Sequence, residues 1–117
     1  GDWWDIVDLT ATHLVGEMCL KHPIIKAMMK DWILDENMWI RRSALIHQLK
    51  YKDAADEEML YGFIRVAKSE NNFFIRKAIG WALREYSKFN PLSVSKFIEE
   101  NRDSLSSLSI REGSKYL

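Results

Sequence analysis

The sequence predicts an all-α fold, an α-solenoid of about seven helices in antiparallel pairs. Apolar residues recur at spacings of three and four along most of the chain, and no segment alternates as a strand would. Residues 37–44, NMWIRRSA, resemble residues 72–79, NFFIRKAI, at an offset of 35, and Asp2-Trp3-Trp4 precedes the first of these stretches by the same offset. A period of this size built from helix pairs is typical of an α-solenoid.

The helix with the clearest signals is predicted over residues 72–86, NFFIRKAIGWALREY. Asn72 is a favourable N-cap, and the apolar residues that follow form one broad face. A second line of side chains runs beside that face and consists of Lys77, Trp81, Arg84 and Lys88. It is either a boundary tryptophan covered by aliphatic stems, or a surface for an anionic partner with flat rings, which would be nucleic acid.

The remaining helices follow from capping residues and apolar spacing. Helices are predicted to start at or near Asp2, Pro23, Asn37, Asp56 and Asn90. The third helix is expected to end near Lys50, and a last short helix is expected to be capped by the box Ser109-Ile110-Arg111-Glu112. In the first helix, from Trp3 to about Cys19, the predicted core stripe consists of Trp3, Val7, Ala11, Leu14 and Met18.

The charge distribution favours an anionic partner although the formal net charge of the 117 residues is zero. Residues 1–38 carry three lysines and seven acids, whereas residues 39–88 carry ten basic residues and six acids. The basic excess lies in the segment that holds the two similar helices. The alternative is a chance difference in sign between two solvated faces.

Composition also limits the possible classes of protein. The length indicates one domain over residues 1–117. No run of 18 apolar residues suggests a membrane span, and the acidic start is not a signal peptide. The single Cys19 excludes an intramolecular disulfide, so an intracellular location is predicted. No Gly-rich phosphate loop or Ser/His/Asp elbow is present, and the three histidines lack partners at ligand spacing, so no metal site is expected.

Five segments resemble the AlkD-type DNA glycosylases, which are DNA alkylation repair proteins built from HEAT-like helical repeats. The segments are WWDIVD at 3–8, KHP at 21–23, MWIRRSALIHQLKYK at 38–52, FFIRKAIGWALREYSKFNP at 73–91 and LSIREGSKYL at 108–117. The resemblance covers nearly all of the chain. It implies a HEAT-like fold and implies that these residues are the C-terminal part of a longer DNA alkylation repair protein.

The resemblance also implies a reaction and a site. The reaction is excision of cationic alkylated purines, such as 3-methyladenine and 7-methylguanine, from double-stranded DNA by hydrolysis of the N-glycosidic bond, without a cofactor. The lesion is not flipped into a pocket, unlike in most glycosylases. The implied catalytic residues are Trp4, Asp8 and Trp81, and the implied DNA-binding residues are Arg42 and Arg84. Lys77, on the same helix flank, is added to the DNA-binding set.

Elementary chemistry agrees with these roles. Cleavage of the glycosidic bond of a cationic purine leaves positive charge on the sugar. A carboxylate such as that of Asp8, at about 4 Å, offers roughly 4 kcal/mol at an effective dielectric of 20, about a thousandfold in rate. The faces of Trp4 and Trp81 attract a developing cation. Arg42 and Arg84 suit phosphate, which an arginine fork binds well.

Other interpretations of the same residues stay open. Either tryptophan could be a core residue, Asp8 could serve the helix dipole, and the two arginines could be solvated. The chain could then be a non-catalytic DNA-binding relative or a HEAT-like protein-binding scaffold. The chain is expected to act as a monomer. With zero net charge and half of the family's length, the 117 residues are expected to bind duplex DNA poorly and to have little activity alone.

Overall fold

A computed structural model describes residues 2–117, which form α-helices, a π-helical segment and a short 3-10 helix at Lys52–Ala54, with no strand in that range. The seven helices are α1 (residues 3–21), α2 (Pro23–Trp32), α3 (Met38–Ile46), α4 (Glu57–Ala67), α5 (Phe73–Ser87), α6 (Pro91–Glu100) and α7 (Ser107–Gly113). The predictions of an all-α fold and of about seven helices are confirmed. None of the helices within residues 2–117 combines the length and apolar content that crossing a bilayer requires.

The helices form two layers. Helices α1, α3, α5 and α7 lie side by side in chain order, each in contact with the next. Helix α2 packs on α1 and α3, α4 packs on α3 and α5, and α6 packs on α5 and α7. Each helix pair therefore buries its apolar face against the next pair, as stacked helical repeats do.

The 35-residue period places equivalent residues at equivalent points of the first layer. Asp2, Asn37 and Asn72 are the N-caps of α1, α3 and α5. The side-chain oxygens of Asn37 and Asn72 accept hydrogen bonds from backbone N–H groups of the first turn. These bonds satisfy donors that a helix start otherwise leaves unpaired.

Two residues after each cap, the three repeats contribute one aromatic cluster. The ring of Phe74 lies 5.7 Å from that of Trp4 and 5.0 Å from that of Trp39, centroid to centroid. Both pairs are tilted, which aromatic rings favour over face-to-face stacking. The period thus fixes the register of α1, α3 and α5 against one another.

The predicted core stripe of α1 is wrong. Among Trp3, Val7, Ala11, Leu14 and Met18, only Ala11 is buried, whereas the side chain of Trp3 is 61% exposed. Helix α1 is α-helical at Trp3–Leu9 and Gly16–Lys21 but π-helical at Thr10–Val15. A π-type bond adds a residue to the turn, so the inward face shifts along the sequence, to Gly16 and Cys19. A stripe drawn with a constant 3.6-residue period cannot follow that shift.

Two predicted helix boundaries also change. Helix α3 ends at Ile46 rather than near Lys50. The cap of α7 is Ser106 and not Ser109, because the Ser106 hydroxyl accepts a hydrogen bond from the Ser109 N–H. The Ser109 hydroxyl instead donates to the carbonyl of Arg76 on α5. Ser106 stands three residues before Ser109 and can therefore fill the same capping role one turn earlier.

A buried histidine lies where α1 approaches α3. His47 is 1% exposed, and its Nδ1 lies 2.6 Å from the carbonyl oxygen of Ala44. The two helices approach closely here, since a Cβ added at Gly16 on α1 would lie 2.6 Å from the His47 carbonyl oxygen. Burial lowers the pKa of His47 to about 4, although the bond to Ala44 favours the charged form. The imidazole is therefore neutral in the folded protein at neutral pH.

Acidification should destabilise the fold through His47. Between pH 6.5 and 4 the unfolded chain binds a proton at this residue that the folded chain does not, so the free energy of unfolding falls as pH falls. At about 1.4 kcal/mol per pKa unit the loss reaches roughly 3 kcal/mol near pH 4. Thermal melts from pH 7.5 to 4 should show a shallower pH dependence for His47→Gln than for wild type. The exposed His13→Gln should follow wild type, and a wild-type slope in the His47 variant would contradict this account.

Candidate active site

One open cleft on the first layer of helices is lined by all six residues that the sequence analysis selected. It measures about 290 Å³ and is lined by Trp4, Asp5, Asp8, Arg42, Phe73, Lys77, Trp81, Arg84 and Glu112. Helices α1, α3, α5 and α7 each contribute at least one of these side chains. The structure therefore brings together residues that are up to 108 positions apart, because the layer stacks one helix of each pair.

Arg42 lies beneath this cleft rather than at its rim. Its Nε lies 2.9 Å from Oδ1 of Asp8 and its Nη2 lies 2.9 Å from Oδ2, a bidentate ion pair between α3 and α1. Its third guanidinium nitrogen donates to the carbonyl of Phe74 at the start of α5. Arg42 is 4% exposed, so all three nitrogens are engaged with protein acceptors. A buried charge of this kind requires such partners.

Aromatic rings form the walls next to that ion pair. The Arg42 guanidinium carbon lies 5.9 Å from the centroid of the half-buried Trp81 ring, so the cation sits between an aromatic face and the Asp8 carboxylate. Trp4 is 38% exposed and packs on Phe74. Asp8 and two tryptophans are thus accessible from the same cleft.

A larger cleft of about 680 Å³ adjoins the first and shares Asp5, Asp8 and Trp81 with it. Its lining includes Lys50, Lys52 and Lys88, of which the first two were not selected from the sequence. Lys52 has a φ of 57°, a left-handed backbone that is rare for a residue with a side chain. The signal that could have found Lys50 and Lys52 is their place at the end of the matched segment MWIRRSALIHQLKYK.

Glu112 joins the two remaining cations of the site. One carboxylate oxygen lies 2.7 Å from Lys77 Nζ, and the other lies 3.0 Å from an Arg84 guanidinium nitrogen. The hydrogen bond from Lys77 lowers the pKa of the Glu112 carboxyl below its usual range. The sequence predicts Glu112 only as part of a capping box and does not predict this role. The period could have revealed it, since Glu112 follows Lys77 by the same 35 residues that separate Lys77 from Arg42.

Comparisons with known proteins agree with this arrangement. Residues 1–117 match a family model described as DNA alkylation repair enzyme. The chain belongs to the DNA alkylation repair enzyme family. A solved structure from Enterococcus faecalis, described as a predicted DNA alkylation repair enzyme, is 39% identical to this member of the family and superposes with a TM-score of 0.88. The alignment covers 98% of this chain and 53% of that one, so the chain spans about half the length of that relative. A comparison with curated proteins gave no match.

In this family member a glycine sets the approach of α7 to α5. A Cβ added at Gly80 would lie 2.7 Å from the Cβ of Glu112 and 3.3 Å from the carbonyl oxygen of Ser109. Real Cβ atoms do not approach neighbours so closely, so any side chain at this position would push the helices apart. Gly80 stands between Lys77 and Arg84 on α5, and its lack of a side chain lets Glu112 reach both.

Replacing Gly80 with Ala should therefore destabilise the protein by about 1–3 kcal/mol, because the new methyl overpacks the α5–α7 contact. Gly62, in the middle of α4, is the matched control, since nothing lies within 4 Å of a Cβ added there. Gly62→Ala should stabilise by about 0.5–1 kcal/mol through helix propensity alone. Urea denaturation of both variants measures the difference, and equal effects at the two positions would refute the close approach.

Proposed function

We propose that this chain is part of a DNA glycosylase that excises cationic alkylated purines, such as 3-methyladenine and 7-methylguanine, from double-stranded DNA. Membership of the DNA alkylation repair enzyme family supports DNA repair as the setting. The observation that carries the reaction type is a carboxylate, Asp8, held by a buried arginine in an open cleft between two tryptophans. We further propose HEAT-like repeats, a place in the C-terminal part of a longer monomeric, intracellular protein, and no cofactor.

The proposed reaction is hydrolysis of the bond between C1′ of the deoxyribose and the purine nitrogen. The bond breaks with its electron pair leaving on the purine, which departs as a neutral base because alkylation had made it cationic. The sugar carries the positive charge that remains. Water adds to C1′ and loses a proton, which leaves an abasic site. The leaving group is activated by its own charge, so the protein must stabilise the sugar cation and direct the water.

Asp8 and the two tryptophans supply those functions in this proposal. Each oxygen of Asp8 accepts one bond from Arg42 and retains lone-pair capacity for a water proton. Arg42 partly offsets the field of the carboxylate, so the benefit is smaller than the roughly thousandfold of an isolated carboxylate at 4 Å. The faces of Trp4 and Trp81 add attraction for the sugar cation and exclude part of the solvent.

Arg42 receives a role different from the phosphate contact expected from the sequence. Its nitrogens are occupied by Asp8 and the Phe74 carbonyl, and its side chain is 5% exposed. We therefore propose that Arg42 positions Asp8. Lys77 and Arg84 are better placed to meet phosphate, since each is partly exposed at the cleft and donates one hydrogen bond to Glu112.

Asp8→Asn should slow excision of 7-methylguanine by about ten- to a thousandfold, because it removes the charge but keeps the shape. Binding to a duplex that contains one abasic-site analogue should change little. The matched control is Asp5→Asn. It removes a carboxylate that lines the same cleft but lacks the contact with Arg42, and the excision rate of this variant should stay near wild type. Base release in single-turnover assays and fluorescence anisotropy measure the two quantities in the full-length protein that contains these residues.

The same assays separate the competing functions. Wild-type protein that binds duplex DNA but releases no methylated base would support a non-catalytic DNA-binding relative. Wild-type protein that neither binds duplex DNA nor releases methylated base would support the protein-binding scaffold. If Asp8→Asn lost binding and excision together, Asp8 would serve the fold or the grip on DNA, and its catalytic role would have to be abandoned.

A further inference from the structure

Two acidic side chains of the cleft, Asp8 and Glu112, form ion pairs with cations on another helix. No other acidic residue of the cleft does so within residues 2–117. The two oxygens of Glu112 divide between Lys77 and Arg84, each at hydrogen-bond distance. Neither cation has another ion-pair partner within residues 2–117. The two groups that the proposed function assigns to DNA phosphate are therefore already in contact with an anion supplied by the protein.

The backbone that carries this carboxylate is held close to the two cations. Helix α7 packs so closely on α5 that only glycine fits at position 80, with the Cβ of Glu112 directly opposite. The Ser109 hydroxyl, one turn earlier on α7, donates to the Arg76 carbonyl and ties the two helices together. The Glu112 side chain is about one-fifth exposed. A phosphate that reached Lys77 and Arg84 from solvent would thus remain beside the carboxylate.

The charges at the cleft balance. Asp5, Asp8 and Glu112 face Arg42, Lys77 and Arg84, three acids against three cations. The Arg42 cation is buried with Asp8, so the phosphate-facing part of the cleft consists of Lys77, Arg84 and Glu112. Its formal charge is one positive unit instead of two. Attraction to the DNA backbone, which rises with the number of cations that neutralise phosphates, is reduced accordingly.

We propose that Glu112 is an internal competitor for DNA phosphate at Lys77 and Arg84 and thereby limits the affinity of this protein for the DNA backbone. The inference rests on the proposed function, because it assigns those two cations to phosphate. Its consequence is faster release of undamaged duplex and of the abasic product. Excision itself depends on Asp8 and the tryptophans and is not slowed by the competitor.

The expected size follows from Coulomb repulsion between the carboxylate and a phosphate bound to the same cations. At a separation of about 6 Å, and at effective dielectrics of about 40 to 80, which suit a cleft open to solvent, repulsion weakens binding about three- to tenfold. The opposite effect, loss of the order that Glu112 imposes on Lys77 and Arg84, is limited in Glu112→Gln, because the amide oxygen can still accept a hydrogen bond from one of them. The net result of removing the charge should be tighter binding.

The test is Glu112→Gln in the full-length protein, with binding to a short undamaged duplex followed by fluorescence anisotropy at several salt concentrations. The dissociation constant should fall about three- to tenfold, and the plot of log K against log salt should steepen by up to about one unit. Glu112→Ala, which keeps the Cβ that faces Gly80, should bind tightly in the same way.

The matched control is Glu99→Gln, which makes the same change in net charge. Glu99 lies near the end of α6 and forms an exposed ion pair with Arg102. That variant should bind DNA within about twofold of wild type. In a Lys77→Gln/Arg84→Gln background, adding Glu112→Gln should have no further effect, since the cations it competes for are gone. Thermal melts of each variant establish that all are folded.

Three results would overturn the inference. Unchanged or weaker binding by both Glu112 variants would mean that Glu112 orders the cations rather than competing with phosphate. An equal gain in Glu99→Gln would assign the effect to net charge alone. A gain that persists without Lys77 and Arg84 would place the competition elsewhere. If wild-type protein releases methylated base but Glu112→Gln binds DNA no more tightly than wild type, only this inference is refuted. If wild-type protein releases no methylated base, the proposed function is refuted.

Discussion

The buried guanidinium of Arg42 is the constraint on which the rest of the site depends. A cation with 4% exposure is stable only with close acceptors, and those acceptors come from two other helices: the carboxylate of Asp8 on α1 and the carbonyl of Phe74 on α5. The Trp81 ring on α5 covers the same group. Helices α1, α3 and α5 are thereby fixed in one register, and the position of Asp8 in the cleft is a result of that register.

The 35-residue period explains how so short a chain builds this site. Val7, Arg42, Lys77 and Glu112 occupy the same position in successive repeats, so stacking of the repeats places them in adjacent helices at one level. A uniform repeat would have put identical side chains there. The side chains at this position differ instead, and ion pairs connect neighbouring helices there: Arg42 pairs with Asp8, next to Val7, and Lys77 pairs with Glu112. Solenoids tolerate such changes because each repeat contacts only its neighbours.

The sequence predicted the helices and most of their caps, because capping chemistry and apolar spacing act locally. The resemblance to a known family supplied five of the six selected residues that line the cleft, and the helix flank added Lys77. Prediction failed where tertiary packing decided. The π-helical segment Thr10–Val15 shifts the buried face of α1, and nothing local in TATHLV indicates that the helix will widen there. Arg42 appeared to be a surface cation because a pattern cannot show which of Arg41 and Arg42 turns inward. Glu112 was assigned to a cap that Ser106 supplies.

The proposed role of Arg42 is to act through Asp8. A double-mutant cycle on single-turnover excision of 7-methylguanine, with Asp8→Asn, Arg42→Gln and the double variant, tests it most directly, provided that binding to an abasic-site duplex is measured in parallel. We expect the double variant to be no slower than Asp8→Asn alone and Arg42→Gln to keep most of its DNA affinity. Rate losses that simply multiply, together with a large loss of affinity in Arg42→Gln, would show that Arg42 binds phosphate independently of Asp8.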